Sequence, residues 1–229
     1  MAGASGIAQS RRLLVASALA ALVCAYIPGA WIIVYPIRLF VTYIHETSHA
    51  LATLLTGGAI TQVIVEPGGS GLTLSRGGLP LIICPAGYLG AALLGGLLLL
   101  LMRPKLGSGT LVSLGVLILA ATLLWGRDPF TIIAGLVLAG VLLGVGRLLP
   151  ANGSDFAAAF LAIQLCLNSI LDVRTLLWLT TATDAPNDAV NMAKLVGLPP
   201  LLWALLWSLA SISILIAALR AAWNGNRSR

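Results

Sequence analysis

Residues 80–102 read PLIICPAGYLGAALLGGLLLLLM, a stretch of 23 residues without a charged side chain. A helix needs about 20 predominantly apolar residues to cross the hydrocarbon core of a bilayer. This stretch therefore predicts a membrane-spanning helix. Similar apolar runs predict further helices at 110–126, 129–149, 155–180 and 199–222.

The first apolar block, residues 13–55, is too long for a single crossing. Pro28 and Pro36 interrupt it, and proline both removes a backbone donor and disfavours helix at the preceding residue. We therefore predict one helix that ends near Ile27 and a second that begins near Pro36. The second ends at Gly57-Gly58, because glycine is a common helix stop. These helices give six or seven crossings.

The composition agrees with a membrane protein. Of the 229 residues, 59% are hydrophobic and 9% are charged, whereas an ordinary soluble domain has roughly 25% charged residues. Seven acidic and thirteen basic residues are too few to cover a water-soluble globule of this size, which excludes that class. A disordered chain is excluded by the high hydrophobicity. The predicted fold class is an all-α polytopic membrane protein, with residues 1–229 forming one integral membrane domain.

The net charge of +6 does not indicate a nucleic-acid-binding protein. The basic residues are scattered singly or lie at the ends of apolar runs, as is typical of membrane proteins, and form no basic stripe with interleaved aromatic residues. The three cysteines, Cys24, Cys84 and Cys166, all lie in apolar stretches. They predict neither a disulfide framework nor a thiolate metal site.

One segment does not have the pattern of a membrane helix. Residues 60–66 are rich in β-branched side chains, residues 67–71 read PGGSG, and residues 72–75 read LTLS. This pattern predicts a strand, a turn and a short return strand. We expect a small β-hairpin on or in the membrane, directly after the second helix.

Both histidines of the chain, and one of its two glutamates, lie within HETSH at residues 45–49. Positions i and i+4 share one face of a helix, so His45 and His49 can bind one metal ion. Glu46 is placed to act as a general base on a metal-bound water, and zinc is the usual metal for this spacing. Ionisable residues inside a membrane span are costly and usually functional.

A catalytic zinc site of this kind needs a third protein ligand. The chain has no third histidine, so a distant carboxylate is expected. Asp128 and Asp155 lie where helices are predicted to begin, and helix capping is their simpler interpretation. Asp172 lies in the middle of a predicted span, two residues before Arg174, and Asp184 and Asp188 lie in the connection 182–198.

The HETSHA sequence at 45–50, on an apolar helix that leads into a strand-like loop, resembles the site-2 protease family of intramembrane zinc metalloproteases. More narrowly, it resembles that family's short bacterial branch without added soluble domains. CPAGYLG at 84–90 is similar to the family's small-residue segment at the start of the next core helix. NSILDVR at 168–174 resembles its Leu-Asp-Gly-Gly-Arg ligand motif, and residues 191–198 resemble the short amphipathic helix that follows.

This resemblance covers residues 36–200 and implies a function. It implies that Asp172 completes a zinc site with His45 and His49, with Asp188 and then Asp184 as the alternatives. It further implies a zinc-dependent endopeptidase that cleaves membrane protein substrates. The Ala-, Leu- and Gly-rich composition and the lack of an organelle-targeting segment favour a bacterial cytoplasmic membrane, which the chain would cross several times. The hairpin would then offer an edge strand to an extended substrate.

Two other function classes stay open at the level of sequence. The missing glycines of the ligand motif favour a catalytically inactive scaffold or regulator of the same family. A small transporter is the second alternative, but it would predict paired intramembrane charges and broken helices in matching halves of the chain. The ionisable residues here instead gather around one HExxH motif.

Overall fold

The computed structural model describes the backbone of residues 2–26, 31–101, 105–182 and 187–225. It describes the side chains of residues 11–24, 34–101, 105–167 and 187–224. The structural statements below concern these residues.

Most of the described chain is α-helical, as predicted. The helices, in chain order, are α1 (Ala2–Tyr26), α2 (Trp31–Leu55), α3 (Pro80–Leu101), α4 (Gly107–Trp125), α5 (Pro129–Leu148), α6 (Ala151–Ala182), α7 (Asp188–Val196) and α8 (Pro200–Gly225). The strands β1 (Ala59–Val65) and β2 (Gly71–Arg76) lie between α2 and α3.

Four helices of the described chain are long and apolar enough to cross a membrane, namely α3, α4, α5 and α8. A shorter apolar stretch, Ala151–Leu167, forms the first half of α6. Leucines such as Leu93, Leu97 and Leu209 are at least half exposed on these helices, as expected of a surface that faces lipid. The helical membrane class is confirmed, and the count of six or seven crossings stays a prediction.

The predicted start of the second helix at Pro36 is wrong. Helix α2 begins at Trp31, so Pro36 lies inside it. A proline in the second turn removes one backbone hydrogen bond, and membrane helices tolerate this where neighbouring groups satisfy the freed carbonyl. The predicted end is confirmed: α2 stops at Leu55, and Gly57 has the left-handed backbone, φ +82°, of a glycine helix stop.

The predicted hairpin is confirmed. Strands β1 and β2 pair antiparallel, from Val65 opposite Gly71 to Ala59 opposite Arg76, with a bulge between Ile60 and Gln62. The turn is closed by two backbone hydrogen bonds of 2.8 Å, from Glu66 N–H to the carbonyl of Ser70 and from Gly69 N–H to the carbonyl of Glu66. The five residues 66–70 reverse the chain, and Gly69 takes the left-handed backbone, φ +80°, that this turn needs.

The outer edge of β1 is covered by the turn between α4 and α5 and by the first turn of α5. Val63 forms an isolated parallel bridge with Gly126. The N–H of Val65 donates to the Thr131 hydroxyl at 2.8 Å. An unpaired strand edge is not tolerated against lipid. These contacts give Val63 and Val65 of β1 partners within the protein. The same turn therefore fixes the hairpin to the helical bundle.

Two of the aspartates cap helices, but not in the same way. Asp128 caps its own helix α5, because its carboxylate accepts the N–H of Thr131 at 2.9 Å. Asp155 lies inside α6, and its two oxygens accept the backbone N–H groups of Lys105 and Gly107 at 2.9 and 2.8 Å. Asp155 therefore caps the beginning of α4, a tertiary contact instead of the local cap predicted for it.

Candidate metal centre

Helix α2 places the two histidines of the HETSH motif side by side. The Nε2 atoms of His45 and His49 are 3.0 Å apart, and the ring centroids are 4.7 Å apart. The spacing of four residues puts both rings on one face of the helix, as predicted. Both side chains are largely buried, with 12% of His45 and 7% of His49 exposed.

Asp188 is the carboxylate that the described structure brings to these histidines. Its Oδ2 lies 3.0 Å from Nε2 of His45 and 3.1 Å from Nε2 of His49. The three ligand atoms all lie within 4.8 Å of one another. Ligand atoms of a tetrahedral zinc ion, with bonds of about 2.0–2.1 Å, lie roughly 3.3 Å apart. The observed spacing fits such an ion.

The hydrogen bonds of His49 are compatible with a bound metal. Nδ1 of His49 lies 2.7 Å from the backbone carbonyl of Ile83, which can only accept. Nδ1 therefore carries a proton, and in the neutral ring Nε2 has a free lone pair. A lone pair beside a carboxylate oxygen is unfavourable unless a metal ion or a proton lies between them. The donor set of two imidazoles and one carboxylate is one that zinc prefers.

Asp188 reaches the histidines from the start of helix α7. The Asn187 side chain caps this helix by accepting the N–H of Val190 at 3.0 Å, and Gly197, with φ +80°, ends it. When no metal is bound, burial alone would raise the pKa of Asp188, but the positive charge of protonated imidazoles and their hydrogen bonds lower that pKa below its ordinary value. The carboxylate is therefore ionised, which is the form that binds a metal.

The three predicted candidates for the third ligand have different outcomes. Asp188, the first alternative, lies at the histidines. The side chain of Asp172, the preferred candidate, and residue Asp184 lie outside the described residues.

The predicted amphipathic helix at 191–198 begins earlier, at Asp188. An Asn-Asp pair before an apolar periodicity is a helix-start signal, and it would have placed Asp188 on a helix and not in a loop.

Glu46 lies beside the cluster, where the hairpin holds it. It is 4% exposed, and its Oε2 accepts the hydroxyl of Thr73 at 2.8 Å. The same hydroxyl lies 3.0 Å from the backbone carbonyl of Glu46. A Cβ at Gly71 would come within 2.6 Å of Oε1. Strand β2 therefore packs directly on the carboxylate, and the absence of a side chain at Gly71 makes the approach possible.

Helix α3 also packs closely on the two histidines, and the absence of a side chain at Gly87 makes this approach possible. A Cβ at this position would overlap Nε2 of both His45 and His49.

We expect Gly87→Ala to push the imidazoles apart and to lower zinc affinity by more than about tenfold. Competition titration with a chromophoric chelator measures this. Gly140→Ala is the matched control, because a Cβ there meets nothing within 4 Å. Equal affinities in the two variants would contradict the close approach.

Comparisons with known proteins give a family for this chain. A search of curated proteins and a search of solved structures each gave no match. The family model described as Peptidase M50B-like matches residues 14–218, which is most of the chain and includes His45, Glu46, His49 and Asp188. The site-2 proteases are the family that the HETSH helix resembles, and this model describes them. The chain therefore belongs to the Peptidase M50B-like family of membrane metalloproteases.

Proposed function

We propose that this protein is a zinc-dependent intramembrane endopeptidase in which His45, His49 and Asp188 hold the metal. The observation that carries the proposal is the convergence of these three side chains on one point, with Glu46 buried beside them. Membership of a peptidase family supports the reaction class. In this proposal Asp188 has the ligand role that the motif resemblance implied for Asp172.

The chain's own residues would divide the chemistry between them. Bound zinc would supply a Lewis acid that polarises the scissile carbonyl and makes water more acidic. Oε2 of Glu46 is engaged by Thr73, so we assign Oε1 as the atom that accepts the proton of the attacking water. Glu46 would then donate this proton to the leaving amine. Burial of Glu46 keeps competing water away from the carboxylate.

The hairpin offers one strand edge for a substrate. A helical membrane segment must unwind before its peptide bonds can be attacked, and an extended chain can pair with a strand edge. The outer edge of β1 is engaged by the α4–α5 turn. The outer edge of β2 pairs with no other strand in the described part of the chain. We therefore propose β2, the strand that holds Glu46, as the pairing edge.

Thr73 links this strand to the proposed base, and its removal should affect catalysis alone. Thr73→Val keeps the shape of the side chain but cannot donate to Oε2 of Glu46. We expect kcat to fall roughly tenfold, the typical effect of losing a hydrogen bond to a charged group, with zinc content unchanged. Thr73→Ser keeps the hydroxyl and should restore most of the rate. Equal rates for the Val variant and the wild type would contradict this role.

The proposed substrate and location follow from the membrane character of the chain. We propose a single integral membrane domain, residues 1–229, in a bacterial cytoplasmic membrane. Four helices of the described chain are long and apolar enough for this location. The substrates would be membrane proteins, since the site lies on a helix of this bundle.

The proposal is tested with the purified protein in proteoliposomes that also contain single-span membrane proteins. We expect about one zinc per chain, the count of a catalytic site with three protein ligands. Cleavage should stop when 1,10-phenanthroline removes the metal and return when zinc is added. Bound zinc without cleavage of any substrate would favour the inactive scaffold instead. Wild-type protein without zinc would mean that Asp188 and the histidines form an imidazolium–carboxylate ion pair.

A further inference from the structure

A chain of aromatic contacts leads from helix α8 to the imidazole of His45. The Tyr88 ring meets the His45 ring edge to face, with centroids 4.7 Å apart and planes at 87°. Tyr88 also stacks on Trp207 of α8, with centroids 5.7 Å apart and planes at 26°. Trp203, one turn earlier, contacts Trp207 at 6.2 Å. Three helices thus contribute rings to a column that ends on a proposed ligand.

Trp207 also belongs to the buried cluster that seats helix α7. It is 5% exposed and packs in one apolar cluster with Ala189 and Met192 of α7 and with Cys84 of α3. Ala189 directly follows Asp188 in the chain. The cluster that supports the Tyr88 ring therefore also fixes the helix that brings Asp188 to the histidines.

The two histidines differ in how their rings are held. His49 donates from Nδ1 to the carbonyl of Ile83 at 2.7 Å, which is the common outer support of a metal-binding histidine. In the described part of the chain, the His45 ring lies against His49, Asp188, Tyr88 and the backbone of Gly87. Among the described residues no carbonyl accepts from the His45 ring, so within this part of the chain packing is what orients it. Edge-to-face contact with a neighbouring aromatic ring is a favourable and directional form of packing.

We propose that Tyr88 and Trp207 are positioning residues of the metal site. Tyr88 sets the orientation of the His45 imidazole, and Trp207 supports both the Tyr88 ring and the α7 helix that carries Asp188. The inference rests on the proposed function, because it takes His45 and Asp188 to be metal ligands. It assigns to the aromatic rings, and not to the phenol hydroxyl, the role that the Ile83 carbonyl has for His49.

Zinc affinity of the full-length protein in detergent tests this assignment without any substrate. The variants are Tyr88→Leu, Tyr88→Phe, Trp207→Leu and Trp207→Phe, titrated against a chromophoric chelator. Trp223→Leu is the matched control, since Trp223 lies on the same helix but contacts Arg11, with the guanidinium 4.6 Å from the ring centroid. The ligand-field spectrum of the cobalt-loaded protein reports the ligand geometry directly, and thermal unfolding reports the fold.

We expect the two Leu variants at positions 88 and 207 to bind zinc about 10–100-fold more weakly, the usual effect of losing an outer-shell partner. Their cobalt spectra should also change. The Phe variants keep a ring and should stay within a few-fold of the wild type, as should Trp223→Leu. If Tyr88→Leu no longer unfolds cooperatively, the zinc affinities of Trp207→Leu and of the milder Trp207→Met test the inference instead. Trp207 touches no proposed ligand in the aromatic column.

Two results would overturn the inference. Wild-type affinity and cobalt spectrum in Tyr88→Leu and Trp207→Leu would show that the rings do not position the site. An equal loss in Tyr88→Phe and Tyr88→Leu would assign the effect to the hydroxyl. Failure of the proposed function is distinguishable from both results, because the wild type and the control variant would then fail to bind zinc, or would bind it without cleaving any substrate.

Discussion

Replacement of Glu46 by Gln is expected to leave the zinc content unchanged and to slow substrate cleavage by about 10²–10⁴-fold, the usual contribution of a general base. Gln has nearly the same shape, and its amide oxygen can still accept the hydroxyl of Thr73, which donates to Oε2 at 2.8 Å in the wild type. The amide cannot take a proton from water. The substitution therefore removes the proposed chemistry and keeps the three proposed ligands and the packing of β2.

Zinc content and cleavage are measured on the same proteoliposome preparation of this variant. Glu66→Gln is the matched control, because Glu66 is the only other glutamate of the chain and lies exposed in the hairpin turn, where it accepts the hydroxyl of Ser70 at 2.6 Å. It should behave as the wild type. Unchanged cleavage in Glu46→Gln would remove Glu46 from the base role, and loss of zinc would assign it a role in holding the metal.

Replacement of Asp188 by Ala is expected to abolish stoichiometric zinc binding. The loss should exceed the 10–100-fold that is typical of an outer-shell partner, because Asp188 supplies the only negative charge of the proposed ligand set. Its Oδ2 lies close to both imidazoles, at 3.0 and 3.1 Å. Two neutral histidines on adjacent turns would bind zinc much more weakly than the complete set. Equilibrium dialysis and thermal unfolding with and without zinc measure the effect.

Asp172→Ala is the variant with which Asp188→Ala is compared. It removes the carboxylate that the family resemblance favoured, from the middle of α6, and we expect stoichiometric zinc to remain. Zinc loss in Asp172→Ala with normal binding in Asp188→Ala would reverse the assignment. Added zinc should raise the unfolding temperature of the wild type and of Asp172→Ala, since a ligand stabilises the state that binds it, but not that of Asp188→Ala.

The elements of this fold that depend on local pattern were predictable from sequence. Long apolar runs with charged or glycine-containing ends gave α3, α4, α5 and α8 within a few residues, because membrane insertion itself depends on such runs. The hairpin was predictable because β-branched residues on both sides of a glycine-rich turn favour strands. The pairing of His45 with His49 follows from helical geometry alone.

The position of Asp188 beside the histidines was not predictable from local pattern, because it depends on tertiary structure. Asp188 is 143 residues from His45, and the residues next to it in the sequence do not show where α7 packs. A charged residue inside an apolar run makes Asp172 more conspicuous, since its burial is costly, whereas Asp188 has the appearance of an ordinary helix-start residue. Asp155 shows the same limit, because the backbone groups it caps belong to another helix.

Zinc K-edge X-ray absorption of the purified, zinc-loaded protein tests the central claim most directly. The proposed site predicts one zinc per chain, with two imidazole nitrogens at about 2.0–2.1 Å and carboxylate and solvent oxygens at about 2.0–2.2 Å. The imidazole scattering should be lost in a variant that lacks His45 and His49. A sulfur shell at about 2.3 Å, or a spectrum that does not change when both histidines are removed, would contradict a metal centre built from His45, His49 and Asp188.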